Sequence, residues 1–103
     1  MDTVELEQIG KNVWRLRRDV VIYGISVPRG FITDLASIPR VFYFIGKRTD
    51  ENLQRASIVH DYMLRQNDYP KCTADRTFFN VMIDDGVPFW KAKLMYFAVR
   101  FFA

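Results

Sequence analysis

Hydrophobic and polar residues alternate along the first part of the chain. The alternation covers residues 3–8 and 12–18, and a short segment with Gly10 and Lys11 separates the two runs. A period of two is typical of a strand with one buried face, and a short connection that contains glycine favours a hairpin. We therefore predict an antiparallel β-hairpin at this end of the chain.

A continuous apolar run follows the predicted hairpin. Residues 20–27, VVIYGISV, have the length of a strand and are rich in β-branched side chains. Such a run predicts one buried strand, in which Gly24 provides a bulge or a close backbone approach. Pro28 and Gly30 then end the strand region.

Helical periodicity replaces the alternation in the second part of the chain. Ser37 is a suitable N-cap residue and Pro39 suits a first turn, so we predict a short helix over residues 37–45. Thr73 is a suitable cap for one of the longer helices. These longer helices are predicted over about residues 50–66, 73–85 and 88–102.

The order of these elements indicates the fold class. Strands come first and helices follow, which is typical of an α+β fold. We predict a small N-terminal antiparallel sheet of about three strands packed on three to four C-terminal helices. Because the chain has 103 residues and half of them are hydrophobic, we expect a single domain over 1–103, mainly β in 1–30 and mainly α in 37–103.

Composition narrows the setting in which the protein works. Cys72 is the only cysteine, which excludes an intrachain disulfide and favours a reducing compartment. The acidic, alternating N-terminus is no secretory signal. The net charge is +3, and its densest cluster, Arg15 to Arg18, fits a solvated strand face. No recognition-helix or zinc-finger spacing is present, so we expect no specific nucleic-acid binding.

The last predicted helix carries more aromatic side chains than a core face needs. A stripe at helical spacing contains Trp90, Leu94, Phe97 and Phe101, and Phe89, Met95, Tyr96 and Phe102 widen it. The helix is too short and too charged for a transmembrane span, which needs about 20 apolar residues. A helix lying on a membrane is the weaker reading, since few cations line its polar side. We predict a core helix that also docks on a partner through Trp90, Phe97, Phe101 and Phe102.

His60, the only histidine of the chain, lies in the segment ASIVHDYMLRQ. On the predicted helix it shares a face with apolar residues, so its side chain is expected to point inward, with Asp61 at the margin of that face. Asp75 likewise shares a face with Phe78 and Met82 on the next helix, where an isolated carboxylate would be costly. The short connection makes the two helices antiparallel neighbours. In a symmetric helical hairpin Asp75 is then opposite Leu64, which lies one turn from His60. Asp75 and His60 are therefore plausible partners.

Two interpretations of these polar residues remain open. Asp34, in the loop between sheet and helices, can join Asp61 as a metal ligand, with His60 and Asp75 as catalytic residues that activate water. A nucleophilic set with Ser37 lacks the G-x-S-x-G elbow. Alternatively, Asp34 and Ser37 cap the short helix, and His60 and Asp75 form a buried pair that fixes helix register. No cofactor is expected unless the chain is an enzyme, in which case calcium or another divalent metal is.

Four segments of the chain resemble one family along nearly its whole length. VPRGFITDLASIPR, ASIVHDYMLRQ, TADRTFFNVM and VPFWKAKLMYFAVRFF are similar, in that order, to small proteins of unknown function from tailed phages and prophages. The pattern of that family is V-P-x-G-F-x-T-D-x-A-S-x-P-R, then H-D-Y, then A-D-x-x-F. The resemblance implies a phage or prophage origin and no settled activity. It places the protein in the host cytoplasm, in the virion, or in both.

A partial resemblance concerns the histidine alone. A His-Asp pair on one helix and an aspartate on the next, antiparallel helix are similar to the phospholipase A2 arrangement. This resemblance implies His60 as the base, Asp61 as a calcium ligand and Asp75 as the acid that orients the histidine. Leu64 stands where that family has a tyrosine, and the glycine-rich calcium loop and the helix-linking cysteines are absent.

Three functional hypotheses follow from these patterns. The favoured one is a non-enzymatic phage accessory or virion-associated protein that docks on a phage structural protein or a host protein, as an oligomer or as part of an assembly. The second is a metal-dependent hydrolase built on His60, Asp61, Asp75 and Asp34. The third is an inhibitor of a host protein that uses the basic hairpin and the exposed aromatic residues.

Overall fold

The architecture is given by a computed structural model. It describes residues 4–11, 13–33, 51–66 and 68–102, and of residues 51, 52 and 102 the backbone alone. The predicted helix over 37–45, together with Asp34, lies outside the described residues. The described elements, in chain order, are β1 (Leu6–Gly10), β2 (Val13–Leu16), β3 (Val20–Ile22), β4 (Ile25–Val27), β5 (Ile32–Thr33), α1 (Glu51–Gln66), α2 (Lys71–Asp84) and α3 (Phe89–Phe102).

The predicted N-terminal hairpin is confirmed. β1 and β2 pair antiparallel with Leu6 opposite Leu16, and the register shifts between Gln8 and Gly10. β5 pairs antiparallel with the other edge of β2, which makes a three-stranded sheet in the order β1-β2-β5. The basic cluster faces acidic residues of this sheet region: Arg15 is ion-paired to Glu7, and Arg18 to Glu5.

The prediction of one strand over residues 20–27 is wrong. β3 and β4 form a separate two-stranded hairpin that reverses at Tyr23 and Gly24, where φ is 53° and 76°. Two consecutive positive φ angles belong to a type I′ turn, whose twist suits a tight hairpin. The Tyr23 hydroxyl contacts the Asn80 carbonyl at 3.2 Å and donates to the Asp84 carboxylate, so the turn is held against the end of α2.

The three long helices are confirmed, with one change at an end. α2 begins at Lys71 rather than at residue 73, and its N-cap is Pro70, without a side-chain cap. Thr73 cannot be the cap because its amide already donates to the Pro70 carbonyl within the first turn. The C-terminal end is as predicted. Gly86 follows it with φ 90°, in the left-handed region that suits a helix end.

Buried side chains from both hairpins and all three long helices form a single cluster, which confirms the α+β class. The strands contribute Leu16, Val20, Ile22 and Val27, and the helices contribute among others Leu53, Val59, Phe78, Met82, Met95 and Val99. In the ranges described here, no helix combines the length and hydropathy that crossing a bilayer requires.

Candidate functional site

The structure brings His60 and Asp75 into direct contact. Nε2 of His60 lies 2.5 Å from Oδ1 of Asp75, and the two side chains are 1% and 0% exposed. Because α1 ends at Gln66 and α2 begins at Lys71, hairpin symmetry puts Asp75 opposite Tyr62. That position is nearer to His60 than the expected one. The two residues that the sequence indicates as plausible partners are thus in direct contact, and a catalytic role for the pair stays a prediction.

Burial controls the protonation of this histidine. Removal from water lowers the pKa of His60, and the hydrogen bond to Asp75 opposes that shift only in part. The imidazole is therefore neutral at neutral pH. Because a carboxylate only accepts hydrogen bonds, Nε2 must carry the proton and Nδ1 the lone pair. The ring also packs against Phe78, with 5.2 Å between the ring centroids.

The other oxygen of Asp75 meets two cations. Lys71 Nζ lies 2.8 Å from Oδ2, and Arg100 Nη1 lies 3.4 Å from the same atom. Lys71 also donates to the Val99 carbonyl at 2.7 Å. Because Val99 and Arg100 belong to α3, the contacts of Lys71 and Asp75 tie the start of α2 to the end of α3. The sequence contains a signal for Lys71, which stands four residues before Asp75. It contains none for Arg100, which only the packing of α3 brings near.

Asp61 is engaged by neighbours of a different kind. Its Oδ2 accepts a hydrogen bond from Thr33 Oγ1 at 2.7 Å, and its Oδ1 lies 3.2 Å from Arg65 Nε. Arg65 also donates to the Ile32 carbonyl, and its guanidinium lies 5.2 Å from the centroid of the Phe31 ring. This arrangement fastens β5 to α1.

The described donor set does not fit a metal site. Both Asp61 oxygens are engaged, one of them by the Arg65 guanidinium, whose positive charge disfavours a metal at the same carboxylate. Across the described ranges, no group of three or more His, Cys, Asp or Glu side chains stands together as metal ligands would. Asp34 lies outside those ranges, and the predicted ligand pair Asp61 and Asp34 stays a prediction.

α3 turns one apolar face to the core and another to solvent. Ala92, Met95 and Val99 are buried, whereas Trp90 and Phe101 are 63% and 70% exposed. Phe89, Leu94 and Phe97 are exposed as well. Exposure is thus as predicted for Trp90, Phe97 and Phe101. The side chain of Phe102 lies outside the described part. We call the exposed residues Phe89, Trp90, Leu94, Phe97 and Phe101 the α3 aromatic face.

A family model described as "Protein of unknown function (DUF1353)" matches residues 12–99. The chain belongs to the DUF1353 family. The matched region of this DUF1353 protein includes His60, Asp61 and Asp75 and most of α3, whereas Phe101 and Phe102 lie just beyond it.

One curated relative of this DUF1353 protein is "Uncharacterized protein y4jT" from Sinorhizobium fredii (strain NBRC 101917 / NGR234). It is 40% identical over 74 residues, which are 71% of this chain and 22% of the relative. The chain therefore spans about a fifth of the length of the curated relative that it matches. No solved structure matches the chain.

Proposed function

We propose that this DUF1353 protein is a phage- or prophage-encoded accessory or virion-associated protein that docks on a partner protein through the α3 aromatic face. The observation that carries the proposal is the solvent exposure of five large apolar side chains on one helix. The partner is a phage structural protein or a host protein, and the setting is the host cytoplasm or the virion.

The physical argument concerns the cost of an exposed apolar surface. Single exposed apolar residues are ordinary, but a contiguous patch on a small protein typically marks an interaction site. Tryptophan and phenylalanine are enriched in protein interfaces and often dominate their binding energy. Phe97 and Phe101 also stack on each other, with 6.1 Å between the ring centroids. An ordered pair of rings loses little side-chain freedom when a partner covers it.

Two further observations support a binding role over an enzymatic one. The conspicuous polar residues are used within the fold: Asp75 is held by His60, Lys71 and Arg100. Asp61 fastens a strand to a helix. The resemblance of the four sequence motifs to phage and prophage proteins supports the setting of the proposal.

Quantitative mass spectrometry of purified virions tests this function. The phage should be propagated with the wild-type gene, with Phe101→Ala, or with Ile9→Ala. Ile9 is an exposed apolar residue of β1 and serves as the matched control. We expect a fixed copy number per particle for the wild type and for Ile9→Ala, and a loss of at least fivefold for Phe101→Ala. The proposal would be contradicted if the wild-type protein were absent from the particles and if affinity purification from a host extract recovered no partner that Phe101→Ala loses.

The contact between His60 and Asp75 favours hydrolysis as a second candidate function. Asp75 holds the ring so that Nδ1 carries the lone pair that a general base needs. In this reading His60 is the base, Asp75 orients it, and Asp61 with Asp34 binds a divalent cation. The ring is only 1% exposed, so a substrate would need an opening beside α1. Hydrolysis of ester substrates by the wild type and its loss in a folded His60→Gln variant would support this candidate.

A further inference from the structure

A groove of about 380 Å³ lies between α2 and α3 and shares Phe89 and Phe97 with the α3 aromatic face. Its walls are formed by Phe79 of α2 and by Phe89, Tyr96 and Phe97 of α3. The Phe79 ring packs edge-to-face on two of them, with centroid distances of 5.9 Å to Phe89 and 5.7 Å to Tyr96. These edge-to-face contacts hold the aromatic walls of the groove against one another.

Two exposed cations line the same groove, Arg76 from α2 and Lys93 from α3. Neither takes part in an ion pair with any residue that the structure describes. The Lys93 ammonium lies 5.7 Å from the centroid of the Phe89 ring, at the mouth of the apolar surface. The sequence of α3 contains no aspartate or glutamate that would neutralise it. The groove therefore combines an apolar interior with positive charge that no acidic side chain in the described ranges neutralises by an ion pair.

We propose that this groove binds a short amphipathic segment of a partner protein in which aromatic or aliphatic side chains stand next to aspartate or glutamate. The inference rests on the proposed function, because it names the chemistry of the partner that the α3 aromatic face meets. The apolar side chains of the segment fill the space between Phe79 and Phe97, as in helix-in-groove recognition. Its carboxylates meet Arg76 and Lys93, which gives the contact its orientation and its selectivity.

Other occupants fit the charges less well. A second copy of this chain would have to supply carboxylates, and three of its described acidic residues, Glu5, Glu7 and Asp85, are ion-paired to arginines of their own chain. Its net charge of +3 also opposes the approach of a second positively charged copy. A lipid surface is broad, whereas the two cations stand beside a concave apolar groove. The complement of this surface is therefore a narrow segment with both apolar and acidic side chains.

Selection from a random dodecapeptide library tests the inference. The immobilised wild-type protein is the bait, and the Phe79→Ala variant removes peptides that bind elsewhere. We expect the recovered peptides to combine an excess of Asp and Glu with Phe, Trp or Leu. Their Kd should rise at least tenfold in the Arg76→Glu/Lys93→Glu variant. It should change less than twofold in Lys11→Glu/Arg29→Glu, which reverses two exposed cations that do not line the groove. Thermal melting confirms that every variant is folded.

Four outcomes would overturn the inference, and they separate it from the proposed function. The first outcome is a set of peptides that need Phe97 but contain no excess of Asp and Glu, and whose Kd is unchanged in Arg76→Glu/Lys93→Glu. This outcome would exclude an acidic partner and would leave the proposed docking function in place. Failure to recover any peptide that Phe97→Ala or Phe101→Ala weakens counts against both. Charge-dependent co-sedimentation with phosphatidylglycerol vesicles, or dimerisation lost in Phe79→Ala, in place of peptide binding would assign the groove to a membrane or to a second copy.

Discussion

Nε2 of His60 lies 2.5 Å from Oδ1 of Asp75, and this contact joins α1 to α2 inside the protein. The second carboxylate oxygen reaches Lys71 and Arg100, so one buried aspartate links residues from three helices. A buried charge is tolerated when its neighbours supply opposite charge and hydrogen bonds. Loss of any one of these neighbours should therefore weaken the packing of the three helices on one another.

Replacement of the histidine tests the weight of this contact. We expect His60→Ala to lower the free energy of unfolding by about 3 kcal/mol or more, since the change opens a cavity and leaves Oδ1 of Asp75 without its hydrogen bond. Urea denaturation at pH 7.5 measures it. Gln66→Ala, an exposed change at the end of the same helix, is the control and should stay within about 0.5 kcal/mol. A cost below about 1 kcal/mol for His60→Ala would show that the contact has little weight.

The lowered pKa of His60 predicts a loss of stability in mild acid. In the unfolded chain the imidazole takes up a proton near its ordinary pKa of 6.5, whereas burial delays protonation in the fold to lower pH. Below pH 6.5 the unfolded state therefore binds more protons. The free energy of unfolding should then fall by up to about 1.4 kcal/mol per pH unit, until the lowered pKa is reached.

Urea midpoints of the wild type and His60→Gln between pH 7.5 and 5 check this pH dependence. The wild type should lose stability across that window, and the variant, which has no imidazole, should be nearly flat. Equal slopes in the two proteins would mean that other groups cause the pH dependence.

Tyr23 should ionise late in alkaline titration. Its hydrogen bond to the Asp84 carboxylate raises the pKa of Tyr23 to about 12 from an ordinary value of 10.0, since a phenolate beside that carboxylate is unfavourable. Above pH 10 the unfolded state loses this proton first, so the hairpin turn should loosen as pH rises towards 12. Ultraviolet difference titration of the wild type against Tyr23→Phe isolates the transition. A titration midpoint near pH 10 in the difference between the two proteins would contradict the hydrogen bond between Tyr23 and Asp84.

Divalent metals should leave the melting temperature unchanged, because Thr33 and Arg65 engage both oxygens of Asp61. A metal present at about 100 times its Kd would stabilise the fold by roughly 2.7 kcal/mol, which is easily detected in a domain of this size. Melting with millimolar calcium, magnesium or zinc measures the effect in the wild type, in Asp61→Asn and in the control Asp68→Asn. A rise that only Asp61→Asn abolishes would instead favour the hydrolase.

The turn after α2 depends on a glycine. Gly86 has φ 90°, a conformation that L side chains rarely adopt, so Gly86→Ala should destabilise the protein by about 1 kcal/mol or more. Gly10→Ala is the matched control, because a Cβ there would make only ordinary contacts, the nearest at 3.7 Å from the Cβ of Val13. Urea denaturation compares the two variants. Equal effects would show that the backbone conformation at Gly86 carries no particular cost.

Much of the fold follows from local patterns. The first hairpin and the three long helices are visible in the sequence because a strand repeats every two residues and a helix about every 3.6. The inward direction of His60 follows from the same helical spacing. These features depend on residues close together along the chain, so a short segment of the sequence is enough to predict them.

Other features arose from contacts between distant residues. The reversal at Tyr23 and Gly24 is hidden in an apolar run, and the tyrosine is held there by Asp84, which is far along the chain. The two residues of β5 form a strand only because β2 lies beside them. Arg100 reaches Asp75 through the packing of α3 on α2.

The orientation of α3 shows most clearly where local information ends. The sequence determined that this segment is a helix with more apolar residues than one buried face can use. Because apolar side chains surround much of the helix, periodicity could not decide which of them face the core. Packing against α2 buried Ala92, Met95 and Val99, whose side chains carry no ring, and left Trp90, Phe97 and Phe101 in solvent. Small or flexible aliphatic side chains fit between two closely packed helices more readily than large rigid rings do, and only the tertiary structure could make that choice.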